Sequence, residues 1–325
     1  MASEFDLIDR YFRPLGQGAG VSLGIGDDTA ILDPGPGCQL LVTVDTLVAG
    51  VHFPDSATPL DIGYKTLAVS LSDIAAMGGT PRWATLALTL PSADEAWLAA
   101  FARGLAEACS VYDVSLVGGD TTRGPLTLSL QLLGEVAAGQ ALRREGARAG
   151  DGIYVTGTLG DAGLGLACEL EGLALPPADA AYCRGRLHRP TPRLSVGQGL
   201  QGIATAAIDV SDGLLADLGH VLERSGVGAE LQRDELPLSS AMRAAMTAGQ
   251  ADWRLPLAAG DDYELLFTAP SGQEAAIARL ASAAGCPITR IGRITPGTGT
   301  RVLGADGQPW LPERRGYDHF GNPRP

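Results

Sequence analysis

Aspartate residues recur along this chain in glycine-containing turns or at the ends of apolar segments. They are Asp27, Asp28, Asp45, Asp73, Asp120, Asp209, Asp212, Asp261 and Asp262. Folds that combine strands with helices build their sites at such junctions. Two carboxylates about 4 Å apart repel by about 4 kcal/mol at an effective dielectric constant near 20, and a hard divalent cation removes that repulsion. The recurrence therefore indicates a fold with a carboxylate-lined metal site, although each turn alone is also typical of an ordinary surface turn.

Length and charge restrict the class of protein. A chain of 325 residues exceeds what one hydrophobic core usually serves, so two domains are expected. The formal net charge of −13 argues against a nucleic-acid partner, and Lys65 is the only lysine, so an anionic substrate has to be bound through metal ions or a few arginines. Five scattered cysteines, no membrane-length apolar run and no signal-peptide pattern predict a cytoplasmic protein with reduced thiols.

The first part of the chain predicts an α+β domain over residues 1–138. Thr58 and Pro59 are typical of a helix start, and Gly78-Gly79 is typical of its end. Leucines alternate with polar residues over 126–132, as in a half-buried strand. The other expected elements are a helix over 4–16, a helix opened by a capping box at 92–95, and strands over 40–44, 83–90 and 115–117.

A basic, irregular link over 137–150 leads into a second predicted domain, residues 139–325. Apolar segments and helical patterns alternate there, which favours an α/β arrangement. The expected strands cover 153–156, 205–210, 263–268 and 288–294, and the expected helices cover 163–170, 212–224 and 273–284.

Two turns have chemistry-bearing sequences. Asp209 to Gly213 joins a strand to a helix start, where Ser211 or Asp212 is a candidate N-cap and where a helix N-terminus also suits a phosphate. Gly118-Gly119-Asp120 can present backbone N–H groups to phosphate oxygens, with a plain turn as the alternative. Zinc pairs, an EF-hand, a Walker A loop, protein-kinase signatures and a G-x-S-x-G elbow are all absent from the sequence.

Six motifs, in this order and spacing, resemble the thiamine-monophosphate kinase family, which belongs with aminoimidazole ribonucleotide synthetase and selenophosphate synthetase. They are GIGDDTA from 24, TVDTLVAGVHF from 43, KTLAVSLSDIAAMGGTP from 65, LVGGDTTRG from 116, AIDVSDGL from 207 and GDDYEL from 260. The resemblance extends from about Phe5 to Phe320. The set is specific, although no single motif is.

The resemblance implies the superfamily's two-domain fold, with an N-terminal mixed sheet that binds ATP and forms a homodimer, and a C-terminal α/β domain that closes over the active site. It implies direct, Mg²⁺-assisted transfer of the ATP γ-phosphoryl group to thiamine phosphate, the last step of thiamine diphosphate biosynthesis, without a catalytic acid or base. The implied ligands of several Mg²⁺ ions are Asp27, Thr43, Val44 through its backbone, Asp45, Asp73, Asp120, Asp209 and Asp212. Implied ATP contacts are Gly119, Asp120, Arg144 and Ser211, and implied thiamine phosphate contacts are His52, Asp261 and Tyr317.

Two departures and several rivals bear on this resemblance. Asp261 stands where the family usually has Glu and therefore reaches less far, and Val44 replaces a frequent Thr or Ser. Selenophosphate synthetases carry a reactive Cys near the N-terminus, whereas Cys38 follows the GIGDD turn here. The hydrogenase-maturation relative uses a C-terminal Cys, and aminoimidazole ribonucleotide synthetase lacks two of the six motifs. A metal-dependent phosphatase or a non-catalytic nucleotide-binding protein is the rival from another class.

Overall fold

The computed structural model describes residues 4–26, 29–310 and 316–317, with side chains from Leu7 onward. The chain divides into two compact units, Met1–Ile74 with Gly79–Gly139, and Ala75–Gly78 with Gln140–Pro325. In the part of the chain described, no helix is long and apolar enough to cross a membrane.

The first unit contains three α-helices and two sheets in its described residues. The helices are α1 (Glu4–Tyr11), α2 (Pro59–Ala76) and α3 (Glu95–Tyr112), and the strands are β1 (Val21–Leu23), β2 (Ile31–Leu32), β3 (Cys38–Val48), β4 (Thr80–Leu90), β5 (Ser115–Arg123) and β6 (Thr127–Ala137). The larger sheet has the order β3-β6-β4-β5, in which only β4 and β5 run parallel. Leu128, Leu130 and Leu132 of β6 are fully buried, so the predicted alternating strand has one face in the core.

Helices α2 and α3 approach each other closely because each has a glycine at the contact. A Cβ on Gly63 would lie 2.1 Å from the Phe101 carbonyl oxygen, and a Cβ on Gly104 would lie 1.8 Å from the Leu60 carbonyl oxygen. Thr58 begins α2 as predicted, since its hydroxyl accepts the Asp61 N–H at 3.2 Å. These contacts fix α2, the helix that carries Asp73.

Two strands and one helix of this unit differ from the sequence prediction. Strand β3 continues to Val48, so Asp45 lies inside it, and β5 continues through the glycines to Arg123, so Asp120 lies on a strand and not in a turn. Gly119 permits this because a Cβ there would lie 2.0 Å from the Leu86 carbonyl oxygen of the neighbouring strand. The N-cap of α3 is Asp94, whose carboxylate accepts two backbone N–H bonds, and not a residue at position 92.

The second unit is built on one seven-stranded sheet with seven described α-helices. The strands are β7 (Gly152–Thr156), β8 (Ala206–Val210), β9 (Gly228–Gln232), β10 (Glu264–Ala269), β11 (Ile288–Thr295), β12 (Gly299–Leu303) and β13 (Pro309–Trp310). The helices are α4 (Asp161–Leu170), α5 (Pro177–His188), α6 (Leu194–Gly199), α7 (Leu214–Ser225), α8 (Ser240–Thr247), α9 (Arg254–Ala258) and α10 (Glu274–Ala284). The strand order is β13-β12-β9-β11-β7-β10-β8.

Every pairing in this sheet is antiparallel except that of β9 with β12. Its two faces bury separate apolar clusters, one containing Ile208, Val210 and Leu266 and the other containing Ala207, Leu265 and Phe267. Both units therefore combine helices with mixed or antiparallel sheets, and α+β is the description that the strand pairing supports.

Candidate active site

A pair of carboxylates lies where β3 faces α2 in the first unit. Thr43 and Asp45 share one face of β3. The Thr43 hydroxyl donates to the Asp73 carboxylate, and the Ser70 hydroxyl donates to Asp45 at 2.6 Å. Burial first, and the neighbouring charge of Asp73 second, raise the pKa of Asp45 to about 6 against the lowering effect of the Ser70 hydrogen bond. The two acids therefore repel each other in a partly desolvated place.

This pair has the chemistry of a hard-cation site. Carboxylate and hydroxyl oxygens are the donors that Mg²⁺ takes, and a cation beside Asp45 and Asp73 relieves the repulsion that raises the pKa of Asp45. Across the residues that the structure describes, no group of three or more His, Cys, Asp or Glu side chains is arranged to hold a metal ion. Asp27 and Asp28 lie outside the described residues, so the structure gives no position for these two predicted carboxylates.

The structure does not bring Asp120 to the Asp45–Asp73 pair. Strand register places Asp120 beside Ala87, on the same face of the sheet as Ser129 and Thr46. Asp45 lies on the opposite face, opposite the buried Leu130. Gly119 and Asp120 are exposed on β5, and the Val44 side chain is exposed on β3.

His52 lies in the short loop that follows β3. Its Nδ1 accepts the Val48 N–H at 3.0 Å, which fixes the proton of a neutral ring on Nε2. Its carbonyl oxygen accepts from the Lys65 ammonium at 3.4 Å, and Lys65 is buried. The only lysine of the chain therefore supports the backbone of the loop that carries His52.

In the second unit, the turn after β8 is held by an aspartate that the sequence prediction missed. Asp217 Oδ2 accepts backbone N–H bonds from Ser211, Asp212 and Gly213 at 3.0, 3.1 and 3.1 Å. Burial first, and the charge of Asp212 second, raise the pKa of Asp217 to about 7 against the lowering effect of these bonds. An acidic residue in the first turn of a helix was the available sequence signal.

Backbone hydrogen bonds connect this turn and the end of β8 to the 261–263 segment and to Tyr317. The Asp261 N–H donates to the Ser211 carbonyl oxygen at 2.8 Å, and the Tyr263 N–H donates to the Val210 carbonyl oxygen at 2.8 Å. The Tyr317 N–H donates to the Asp212 carbonyl oxygen at 2.9 Å. The structure therefore brings together Ser211, Asp212, Asp261 and Tyr317, which the sequence prediction had assigned to ATP, metal and thiamine phosphate.

Asp209 and Arg144 occupy different places in this unit. Asp209 is buried within β8, opposite Leu265 of β10, two residues before the turn. Arg144 is exposed, and its carbonyl oxygen accepts from the Ser225 hydroxyl at 3.4 Å. Ser225 ends α7, whereas Ser211 precedes the start of α7, so Arg144 and Ser211 lie beside opposite ends of that helix.

Comparisons with known proteins identify the family of this chain. Family models described as AIR synthase related protein, N-terminal domain and C-terminal domain, match residues 26–136 and 148–304. Thiamine-monophosphate kinase of Salmonella typhimurium is 48% identical over 322 residues, which are 98% of this chain and 99% of that protein. The crystal structure of thiamine-monophosphate kinase from Stenotrophomonas maltophilia K279a has a TM-score of 0.86 at 50% identity, covering 94% of this chain and 97% of that one.

A further solved structure is described as AaThiL complexed with AMPPCP and TMP. It has a TM-score of 0.78 at 36% identity and covers 98% of this chain and 97% of its own. Matches of this identity extend over nearly the whole length of both chains, and they include both domains of the fold. The chain belongs to the thiamine-monophosphate kinase family, among the proteins related to AIR synthase.

Proposed function

We propose that this protein transfers the γ-phosphoryl group of ATP to thiamine phosphate and so forms thiamine diphosphate and ADP. The observation that carries the proposal is the hydrogen-bonded group of Ser211, Asp212, Asp261 and Tyr317, because motif residues expected for both substrates meet there. Relatives named thiamine-monophosphate kinase, and a relative described as complexed with AMPPCP and TMP, support the same reaction.

The reaction needs little acid–base chemistry from the protein. The acceptor phosphate is already an anionic nucleophile, so transfer depends on placing it in line with the γ-phosphoryl group. We assign Asp261 and Tyr317 to the thiamine end, since a carboxylate suits the cationic thiazolium and an aromatic face suits a flat ring. We assign Ser211 and Gly119 with Asp120 to ATP, with Arg144 as a further contact. His52 is assigned to thiamine phosphate.

Mg²⁺ is part of the proposal because two polyanions have to meet in an acidic protein. In the first unit, Thr43, Asp45 and Asp73 offer a donor set that fits the ion, and the Val44 backbone and Asp27 are further proposed ligands. Asp120 lies on the opposite face of the sheet, so it is proposed to hold another of the several ions. In the second unit, Asp209 and Asp212 are the proposed ligands. Bound Mg²⁺ supplies neutralisation of the phosphate charge. The carboxylates of this chain would hold the ions in position, and none of them is assigned a covalent step.

A homodimer is also part of the proposal, and the exposed face of β3 supports it. Leu40, Val42 and Val44 follow one another on this face with exposures of 46, 57 and 62%. Such a row of large apolar side chains is typical of an interface. The sequence argument from strand 126–132 does not supply this surface, because its leucines are buried inside the unit.

Five unpaired cysteines fit a reducing compartment, which we propose is the cytoplasm.

One assay tests the reaction directly. Purified protein is incubated with Mg-ATP and thiamine phosphate, and thiamine diphosphate is quantified by chromatography as its fluorescent thiochrome derivative. We expect thiamine diphosphate and ADP to form in equal amounts, and neither to form when thiamine phosphate is omitted. Release of ADP and phosphate at the same rate without the acceptor would instead indicate an ATP-hydrolysing enzyme and would contradict the proposal.

A further inference from the structure

The turn from Gly260 to Tyr263 has an unusual backbone. Gly260, Asp261 and Tyr263 have φ angles of 75°, 61° and 50°. Non-glycine residues seldom adopt this left-handed region, and they remain there only where the surroundings hold them. Among the described residues, positive φ outside glycine occurs at Asp113, a helix C-cap, and at these two positions. A structural element next to Asp261 therefore has to stabilise this conformation.

Asp262 lies between Asp261 and Tyr263, the two non-glycine residues with positive φ. Both its side chain and its main chain accept hydrogen bonds from other elements of the unit. Its side chain is buried, at 2% exposure, and both carboxylate oxygens accept the Gly160 N–H, at 2.9 and 3.0 Å. Gly160 is the N-cap of α4, where the helix dipole favours a negative charge. The Asp262 carbonyl oxygen accepts from the Arg186 guanidinium at 3.1 Å.

Arg186 is itself held in place by a buried ion network. It donates to Glu264 Oε1 at 2.7 Å, and Glu264 is fully buried. Arg193 donates to both Glu264 oxygens at 2.6 Å, and the Thr156 hydroxyl donates to Glu264 at 2.6 Å. The guanidinium that holds the Asp262 carbonyl is therefore attached to strands β7 and β10. Burial raises the pKa of Asp262 well above its usual range, which agrees with its enclosure beside Asp161 and Glu264.

We propose that Asp262 is a positioning residue for the acceptor substrate: the bond of its carboxylate to the Gly160 N–H holds the Gly260–Tyr263 turn, whose main chain Arg186 also contacts, in its left-handed conformation and so sets the direction of the Asp261 carboxylate. The inference rests on the proposed function, in which Asp261 contacts thiamine phosphate. The Tyr263 hydroxyl also helps to orient the Asp261 carboxylate, because it donates a hydrogen bond to Asp261 Oδ1 at 3.1 Å. Release of Asp262 lets the φ angles on either side relax, and both of these groups then change direction.

A purely structural role for Asp262 predicts a different result. A buried aspartate that only stabilises the fold lowers the melting temperature when it is replaced, without a selective effect on one substrate. Asp151 provides the matched control, because it is also buried in this unit and also fastens a loop. Its carboxylate accepts the Arg148 N–H at 2.9 Å and the Thr205 hydroxyl at 2.7 Å, far along the chain from residues 260–263.

The experiment compares the full-length wild type with Asp262→Asn, Asp262→Ala and Asp151→Asn. Steady-state kinetics gives the KM for thiamine phosphate and for ATP separately, and thermal unfolding is measured on the same samples. Amide hydrogen exchange is followed at Asp261 and Tyr263, whose N–H groups bond to Ser211 and Val210. The exchange measurement needs no substrate, so it reports on the anchor even when the proposed function fails.

We expect Asp262→Ala to raise the KM for thiamine phosphate about tenfold, the size expected from one lost hydrogen bond of about 1.4 kcal/mol, with little change in the KM for ATP. Exchange at Asp261 and Tyr263 should accelerate in the same variant. Asp262→Asn, which keeps one oxygen for Gly160, should lie between Ala and the wild type. Asp151→Asn should reduce thermal stability and leave the KM and the exchange at 261 and 263 unchanged.

Three outcomes separate the possibilities. Unchanged exchange at Asp261 and Tyr263 in a folded Asp262→Ala variant overturns the anchor. Accelerated exchange with an unchanged KM for thiamine phosphate, or with an equal rise in the KM for ATP, overturns the acceptor-positioning role. If the wild type forms no thiamine diphosphate while exchange in Asp262→Ala is accelerated, the proposed function fails and the anchor alone stands.

Discussion

Replacement of Asp217 by alanine should show how strongly the turn after β8 depends on one carboxylate. Asp217 Oδ2 accepts three backbone N–H bonds, from Ser211, Asp212 and Gly213. At a net value of about 1 kcal/mol per hydrogen bond, the loss of three amounts to about 3 kcal/mol. For a domain of this size, that loss corresponds to a fall in melting temperature of about 6–12 °C. Removal of a buried carboxylate recovers part of its desolvation cost, so the lower end of this range is expected.

The functional consequence follows from what the turn carries. Ser211 and Asp212 are proposed contacts for ATP and metal, so a loosened turn should raise the KM for Mg-ATP and lower kcat. Differential scanning fluorimetry measures the melting temperature, and steady-state kinetics at varied Mg-ATP measures the KM. Asp217→Asn keeps the side-chain shape and one acceptor oxygen. It should therefore show a smaller fall in melting temperature and a smaller rise in the KM for Mg-ATP.

Asp94→Ala is the matched control for this prediction. Asp94 also accepts two backbone N–H bonds at a helix start, but it lies on α3 in the first unit and is exposed. Its replacement should lower the free energy of unfolding by about 1 kcal/mol, as the loss of an N-cap side chain does, and should leave the KM for Mg-ATP and kcat unchanged. If Asp217→Ala loses no more stability than Asp94→Ala and keeps its KM for Mg-ATP, the three bonds do not hold the turn and the reasoning is refuted.

Three further outcomes are expected. Asp45→Asn and Asp73→Asn should each lower turnover by orders of magnitude at saturating Mg²⁺ while the fold stays intact, and near wild-type turnover in both would remove them from the metal site. Transfer from ATP with a chiral γ-phosphate should proceed with inversion, whereas net retention would indicate a phosphoenzyme. Val42→Glu should convert a dimer at micromolar concentration to a monomer in sedimentation velocity, whereas Val111→Glu, at a slightly more exposed position on α3, should not. A wild-type protein that sediments only as a monomer contradicts the dimer.

Local patterns in the sequence predicted much of the fold. The alternating leucines of β6 and the helix start at Thr58 depend on neighbouring residues, and both occur where they were expected. The extents of β3 and β5 were underestimated because Asp45 and Asp120 resemble turn residues when they are considered alone. Pairing with β6 and β4 keeps them in strands, and pairing partners are distant in sequence.

The sequence named several residues that the structure brings together, but it did not predict the hydrogen bonds that hold them. Asp212, Asp261 and Tyr317 belong to recognisable motifs or to the aromatic tail, and the structure connects them by backbone hydrogen bonds that no local pattern specifies. Glu264 illustrates why the supports escape sequence reasoning. Its partners are more than 70 positions away: Arg186 lies on α5 and Arg193 immediately precedes α6, and neither local sequence gave a reason to connect them with this motif.

The one departure in the acceptor motif has a physical explanation in this structure. The family resemblance leads to an expectation of Glu at position 261, and the shorter Asp261 loses reach. The shorter side chain has an advantage at this position, where φ is 61°. Aspartate enters the left-handed region more readily than glutamate, because its short side chain can bond to nearby groups. Here that group is the Tyr263 hydroxyl, 3.1 Å from the Asp261 carboxylate. The same turn therefore carries less backbone strain with Asp than with Glu, and the lost reach has to be met by the position of the turn itself, which is the property that Asp262 controls.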